Sequence, residues 1–236
     1  MIRKMNTPGI DVTIVRTTNR SSKAVLNDEG ILIRLAGRLS EREEKRHIDI
    51  LLRRMVRAHA KQKHRVKIDP FRPLLNGEKS LKVELVTGQN VYFHIKDGTK
   101  MRATEAMDGW FIEKSSKTDE KTFHKFLWRL LGDSIQKEAT AYVNSVNQET
   151  LRESVRSVSV KLMKSRWGSC GRRGQIALST PLFLTSKEVL RYVVIHELAH
   201  ITHPNHSKAF WNTVEVHCPE YREATKAIRG FTIPKA

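Results

Sequence analysis

The chain has 236 residues, 39% hydrophobic and 29% charged, with 43 Lys and Arg against 25 Asp and Glu for a formal charge of +18. That length suits one large domain or two small ones, and the composition excludes a disordered chain. No apolar run approaches the roughly 18 residues of a membrane span.

The positive excess points to an anionic partner, nucleic acid being the most abundant, or to a generally basic surface. Two cysteines, Cys170 and Cys218, offer no disulfide framework and fit a reducing, cytoplasmic setting. The first residues lack the apolar core of a secretory signal, in keeping with that setting. Val12 and Ile14 alternate in the strand manner, as do Ile31, Ile33 and Leu35, with Asn27-Asp28-Glu29-Gly30 as a turn between them, which predicts a hairpin over 11–35. Ser40 and Glu43 form a capping box that opens a helix. Ile48, Leu51, Leu52, Met55 and Val56 fall on its apolar face, Arg53, Arg54, Arg57 and Lys61 fill the rest, and it ends before Pro70.

A second hairpin is predicted over 81–95, with Val83 and Leu85 before Thr87-Gly88-Gln89-Asn90 and Val91, Phe93 and Ile95 after it. A short strand follows near Trp110–Ile112, and Ser115 to Lys121 reads as loop. From about Glu120 to Val146 one stripe runs through Phe123, Leu127, Leu130, Leu131, Ile135, Ala139 and Val143, a long helix with a core face. Val158, Val160 and Leu162 make a strand and Ile176 with Leu178 begins the next; the turn-rich Arg166-Trp167-Gly168-Ser169-Cys170-Gly171 should close a hairpin between them. Thr185 and Glu188 cap a further helix, Val189, Tyr192, Val193 and Ile195 lead into His196, and Pro204 ends it. Ser207 caps a last helix carrying Phe210, Trp211 and Val214.

His196-Glu197-Leu198-Ala199-His200 is H-E-x-x-H on that helix. Residues four apart share a face, so both imidazoles reach one ion, while Glu197 sits beside the metal-bound water without ligating it. Zinc hydrolases use three protein ligands and one open position. His203 and His206 compete for the third place. His203, on a continuing helix, is too far along; His206 lies beyond Pro204, ten residues after His196, the spacing of the long H-E-x-x-H-x-x-G-x-x-H motif, although His203 stands where that motif has Gly. His206 is therefore the expected ligand and His203 a residue that supports the site or touches substrate. Arg166 reads either as an anion clamp or as part of a structural turn with Trp167 as a core plug. Cys170 has no partner at ligand spacing and reads as an idle thiol. His47, His59, His64, His94, His124 and His217 are scattered and read as ordinary surface or partly buried residues.

Arg166-Trp167-Gly168-Ser169-Cys170, Tyr192-Val193-Val194-Ile195-His196-Glu197-Leu198-Ala199-His200 and Asn205-His206-Ser207-Lys208-Ala209-Phe210-Trp211 together resemble the YgjP-like metallopeptidase-domain family, similar in its core to the WLM and SprT-like zinc proteases. The close match covers about 158–222; Gly171, where relatives tend to have serine, departs from it, and 60–80 and 96–120 look like local insertions. The resemblance implies zinc on His196, His200 and His206, Glu197 as general base, and an α+β fold with an antiparallel sheet beside a zincin-like metal helix in the C-terminal part. The expected organisation is 1–150 as N-terminal strands and helices packed with the rest, and 151–236 as the catalytic core.

The leading expectation is a zinc metallopeptidase that hydrolyses peptide bonds with metal-activated water, on protein or peptide substrates that include proteins bound to nucleic acid. The rival is a metal-dependent phosphohydrolase acting on nucleotides, against which stands the lack of any Gly-rich phosphate cradle. A nucleic-acid-binding module with a structural zinc is a third reading, opposed by a Glu beside three His rather than four closed ligands.

Overall fold

The computed structural model describes residues 2–7, 10–27, 30–63 and 65–234, and the chain parts into two units, 1–65 and 66–236, each with its own core. The first unit holds β1 (Ile2–Thr7), β2 (Ile10–Arg16), β3 (Lys23–Asn27), β4 (Gly30–Leu35) and α1 (Glu41–Lys63). Its sheet has the order β1-β2-β4-β3. Val12, Ile14, Ile31, Ile33 and Leu35 are its buried core, and Ile48, Leu51, Leu52 and Met55 of α1 pack on them. The hairpin expected to join the Val12 and Ile31 segments is corrected: β2 runs parallel to β4, and the hairpin is β3 with β4, where Asn27 pairs with Gly30. Asp28, Glu29 and His64 lie outside the described residues. Gly30 is required by contact, since a Cβ there would stand 2.1 Å from the Asp11 carbonyl oxygen, and by its φ of +122°. At the start of α1 the Ser40 amide donates to Glu43 at 2.9 Å and the Glu43 amide to the Ser40 hydroxyl at 3.4 Å, the reciprocal capping box that the sequence predicts.

The second unit begins with β5 (Val66–Lys67) and the single turn α2 (Arg72–Leu75), then β6 (Ser80–Glu84), β7 (Asn90–Gly98), β8 (Arg102–Ala106) and β9 (Gly109–Ser115). β6 and β7 form the expected hairpin, Val83 opposite Val91. The strand expected at Trp110–Ile112 is β9, longer than predicted; it runs parallel to β7 and pairs on its other side with β8, which the sequence reading missed. The loop expected over Ser115 to Lys121 is shorter, because β9 runs through Ser115 and Asp119 caps the next helix by accepting from the Thr122 amide at 2.9 Å. That helix, α3 (Glu120–Glu149), buries Phe123, Leu127, Trp128, Leu131, Ile135 and Val143. His124 is buried rather than superficial, its Nε2 lying 3.0 Å from Asp69 Oδ1 and 3.0 Å from the Trp128 indole nitrogen.

Beyond α3 come β10 (Ser157–Lys161), β11 (Gly168–Cys170), β12 (Gln175–Ser179), a 3-10 helix (Thr180–Leu184), α4 (Lys187–Thr202), α5 (Lys208–His217), α6 (Tyr221–Ile228) and β13 (Phe231–Thr232), the last paired in parallel with β5. The sheet order is β10-β12-β11, with β10 parallel and β11 antiparallel to β12. Residues 166–171 therefore do not close a hairpin between β10 and β12; Gly168–Cys170 is itself a strand, at the sheet edge beside α4. The fold is α+β, but each larger sheet contains a parallel pair, so the expectation of an antiparallel sheet is corrected to mixed sheets. The organisation expected from sequence divided the chain at 150/151, whereas the units part at 65/66, and α3 shares one buried core with α4 and β12. No described helix is long and apolar enough to cross a membrane.

Candidate metal centre

α4 starts one residue later than the sequence suggested: Ser186, not Thr185, is the cap, its hydroxyl accepting from the Val189 amide at 3.4 Å. Burial of Val189, Leu190, Val193, Val194, Ile195 and Leu198 fixes the helix against the core and turns His196 and His200 toward solvent on one side. The helix stops at Thr202, and the chain passes Pro204 to His206, just before Ser207 caps α5 by accepting from the Phe210 amide at 3.3 Å. This return brings His206 back over α4. One ring nitrogen each of His196, His200 and His206 lies within 4.8 Å of the others.

The geometry suits a tetrahedral ion. His196 Nε2 and His206 Nε2 are 3.2 Å apart; two nitrogens each about 2.0–2.1 Å from one tetrahedral zinc are separated by about 3.3–3.4 Å. His200 Nδ1 is 3.1 Å from the His203 carbonyl oxygen. A carbonyl only accepts, so Nδ1 carries the proton and Nε2 keeps its lone pair for a metal. Burial holds His196 down to about 4, with His200 and His206 acting in the same direction, and burial lowers His200 as well. Both rings are thus neutral donors at pH 7.

Aromatic side chains orient these rings. Phe210, fully buried, stacks on His200 with centroids 4.5 Å apart, and Trp211 stacks on His206 at 5.7 Å with Tyr221 behind it at 5.5 Å. The sequence reading placed Phe210 and Trp211 on the last helix and in the family motif but gave them no role at the site; their spacing of four and five from His206 was the available signal. His203 enters through its backbone carbonyl, and its imidazole is not among the groups that converge on the centre.

Glu197 is 5% exposed and faces β11. A Cβ on Gly168 would stand 2.6 Å from Glu197 Oε1 and 2.7 Å from its Cγ, so the carboxylate occupies room that only glycine leaves. Burial pushes the Glu197 carboxyl up to about 7, and the Arg166 guanidinium opposes that rise. Arg166 is an exposed residue at the mouth of the site, and Trp167 is half-buried against the core, meeting Phe231 edge to face with ring centroids 6.5 Å apart. Imidazoles, carboxylate, Arg166 and Arg172, which the sequence reading did not single out, line one cleft of about 880 Å³. Cys170 lines it too, and burial, with the Glu197 charge adding to it, pushes its thiol up to about 11. Cys170 and Cys218 are both free thiols.

A family model described as the YgjP-like metallopeptidase domain matches residues 20–230. No curated protein matches the chain. Among solved structures, the metallopeptidase zymogen abylysin of Pyrococcus abyssi is 22% identical over 41% of this chain and 98% of its own, with a TM-score of 0.30. The metallopeptidase zymogen jannalysin of Methanocaldococcus jannaschii is 23% identical over 38% of this chain and 92% of its own, with a TM-score of 0.31.

Proposed function

From the premise that this chain belongs to the YgjP-like metallopeptidase-domain family, we propose that it hydrolyses peptide bonds with one zinc ion on His196, His200 and His206 and with Glu197 as general base. The family makes it a metal-dependent hydrolase of protein or peptide. The observation that carries the finer reading is three imidazole donors within 4.8 Å of one another, in an open cleft, with a buried carboxylate on the next residue.

When bound, the ion supplies Lewis acidity, polarising the scissile carbonyl and making water easier to deprotonate at neutral pH. Glu197 takes the water proton on a carboxylate oxygen and returns it to the amine nitrogen as that nitrogen leaves. Burial, which raises the carboxyl, makes Glu197 a stronger proton acceptor than an exposed glutamate. Gly168 keeps that carboxylate in place by leaving its space empty, and Phe210 and Trp211 hold His200 and His206 in ligating orientation. Substrates bound to nucleic acid are the subset that the +18 charge would concentrate.

The test uses purified protein loaded with zinc, assayed on casein, on a mixed peptide library and on a nucleoside triphosphate panel, with Glu197→Gln alongside. The expected result is one zinc per chain in both proteins, peptide cleavage by the unaltered chain, and a fall of about 10²–10⁴-fold in the variant. Equal turnover by Glu197→Gln would remove the assigned base. Nucleotide hydrolysis in place of peptide cleavage would transfer the site to the phosphohydrolase reading.

A further inference from the structure

Residues 1–65 contain sixteen Lys and Arg against seven Asp and Glu, so little more than a quarter of the chain carries half of its +18 charge. α1 concentrates that excess on one face. Ile48, Leu51, Leu52 and Met55 point into the small core. At 100° per residue the opposite side carries Arg42, Arg46, Ile50, Arg53, Arg54 and Arg57, all exposed. Three of the helix's four acids are already engaged: Glu43 with Ser40, Glu44 with Arg16, and Asp49 with Arg53, while Glu41 stands at its first turn. Among the described residues no ion pair reaches Arg42, Arg46, Arg54 or Arg57. Ile50, Arg53, Arg54, Arg57 and Ala58 frame a shallow groove of about 570 Å³ along this face.

We propose that the outward arginine face of α1 docks the phosphate backbone of duplex nucleic acid without reading its sequence. From Arg42 to Arg57 the face extends about 22 Å at 1.5 Å per residue, about six base-pair steps of a duplex at 3.4 Å each. Guanidinium presents a planar fork that pairs with phosphate oxygens two at a time, which ammonium does not. A lipid surface is disfavoured by the same geometry. An interfacial helix needs a free apolar face, and that of α1 is spent on the sheet, while its solvent side is arginine. This docking is independent of the peptidase reading and would hold the hydrolytic unit near proteins on the same polymer.

The experiment measures fluorescence anisotropy of arbitrary 20-base-pair DNA and RNA duplexes with the full chain across rising salt. Log affinity should fall linearly with log salt. Replacing Arg46, Arg53, Arg54 and Arg57 together by Gln should flatten the slope by about 3 and weaken binding about 10²–10³-fold at fixed low salt. Replacing the same four by Lys should keep most of the slope. A control that removes equal charge elsewhere, Lys117, Lys121, Lys137 and Lys187 to Gln, should change affinity less than about fivefold, and all three variants should cleave peptide at the unaltered rate. Hydrogen exchange of the α1 amides checks that the helix is intact. Equal loss in the Gln set and the control, binding indifferent to salt, no duplex binding, or preference for phosphatidylserine vesicles over duplex would each overturn the proposal.

Discussion

At Gly168 the absence of one methyl group decides where the Glu197 carboxylate lies. Its Cβ would meet Oε1, Cγ and Cδ of Glu197 at 2.6–2.9 Å, and the side chain would have to swing away. Gly168→Ala should therefore lower peptide turnover about 10²–10³-fold, the loss expected for a misplaced general base. Zinc content and melting temperature should stay near those of the unaltered chain; turnover within twofold would show that Glu197 has room to adjust. Cys170 lines the same cleft with its thiol pushed up to about 11, first by burial and then by the Glu197 charge. A raised thiol value means less thiolate at any working pH. In metal-free protein, Cys170 should alkylate at pH 8 roughly 10²-fold more slowly than an ordinary cysteine, because the thiolate is the nucleophile. The rate should climb about tenfold per pH unit until that value is approached. Site-resolved mass spectrometry after iodoacetamide reads this, and ordinary reactivity at pH 8 would contradict it.

Among the elements, β10 shows how an exposed sheet edge is closed. Its outer edge meets Gln136 of α3, whose amide N–H donates to the Val158 carbonyl at 3.0 Å while its oxygen accepts from the Val160 amide at 2.9 Å. One side chain thus imitates a neighbouring strand. Gln136→Ala leaves a carbonyl and an amide without partners at a packed edge, a loss of about 1–3 kcal/mol. Urea unfolding should show a lower midpoint with an unchanged slope; an unchanged midpoint would mean that water replaces the side chain without cost. β11, at the opposite edge, is the strand that Glu197 packs against, so the small sheet is bounded by a helix on one side and by the site on the other.

For the whole molecule, two separate cores imply two separately perturbable units. Ile33 is fully buried in the small cluster of residues 1–65 and has no place in the large one. Ile33→Ala should destabilise that unit by about 2–5 kcal/mol through lost packing and the cavity left behind. Backbone amides of 10–63 should exchange faster, while peptide turnover by residues 66–236 stays unchanged. A parallel fall in turnover would show that the metal centre depends on the N-terminal core.

What the sequence determined by itself was short-ranged. The Ser40 box, the stripe of α3 and the two histidines one turn apart on α4 follow from periods of 3.6 residues, which neighbours along the chain enforce. The return of His206 was legible too, because Pro204 and the Ser207 cap together turn the chain within a few residues. Strand partners were legible only where a short turn joins the two strands, as in the β6–β7 hairpin. The alternation at Val12 and Ile31 says which face is buried but not whether the neighbour runs parallel, and β11 is too short to show any period. Nor could spacing reveal that Gly168 abuts Glu197 across 29 positions, or that Phe210 and Trp211 brace the imidazoles. Such contacts join residues that only packing brings together, so the tertiary structure alone decided them. A period records which face of an element is apolar, and carries no record of what that face will meet.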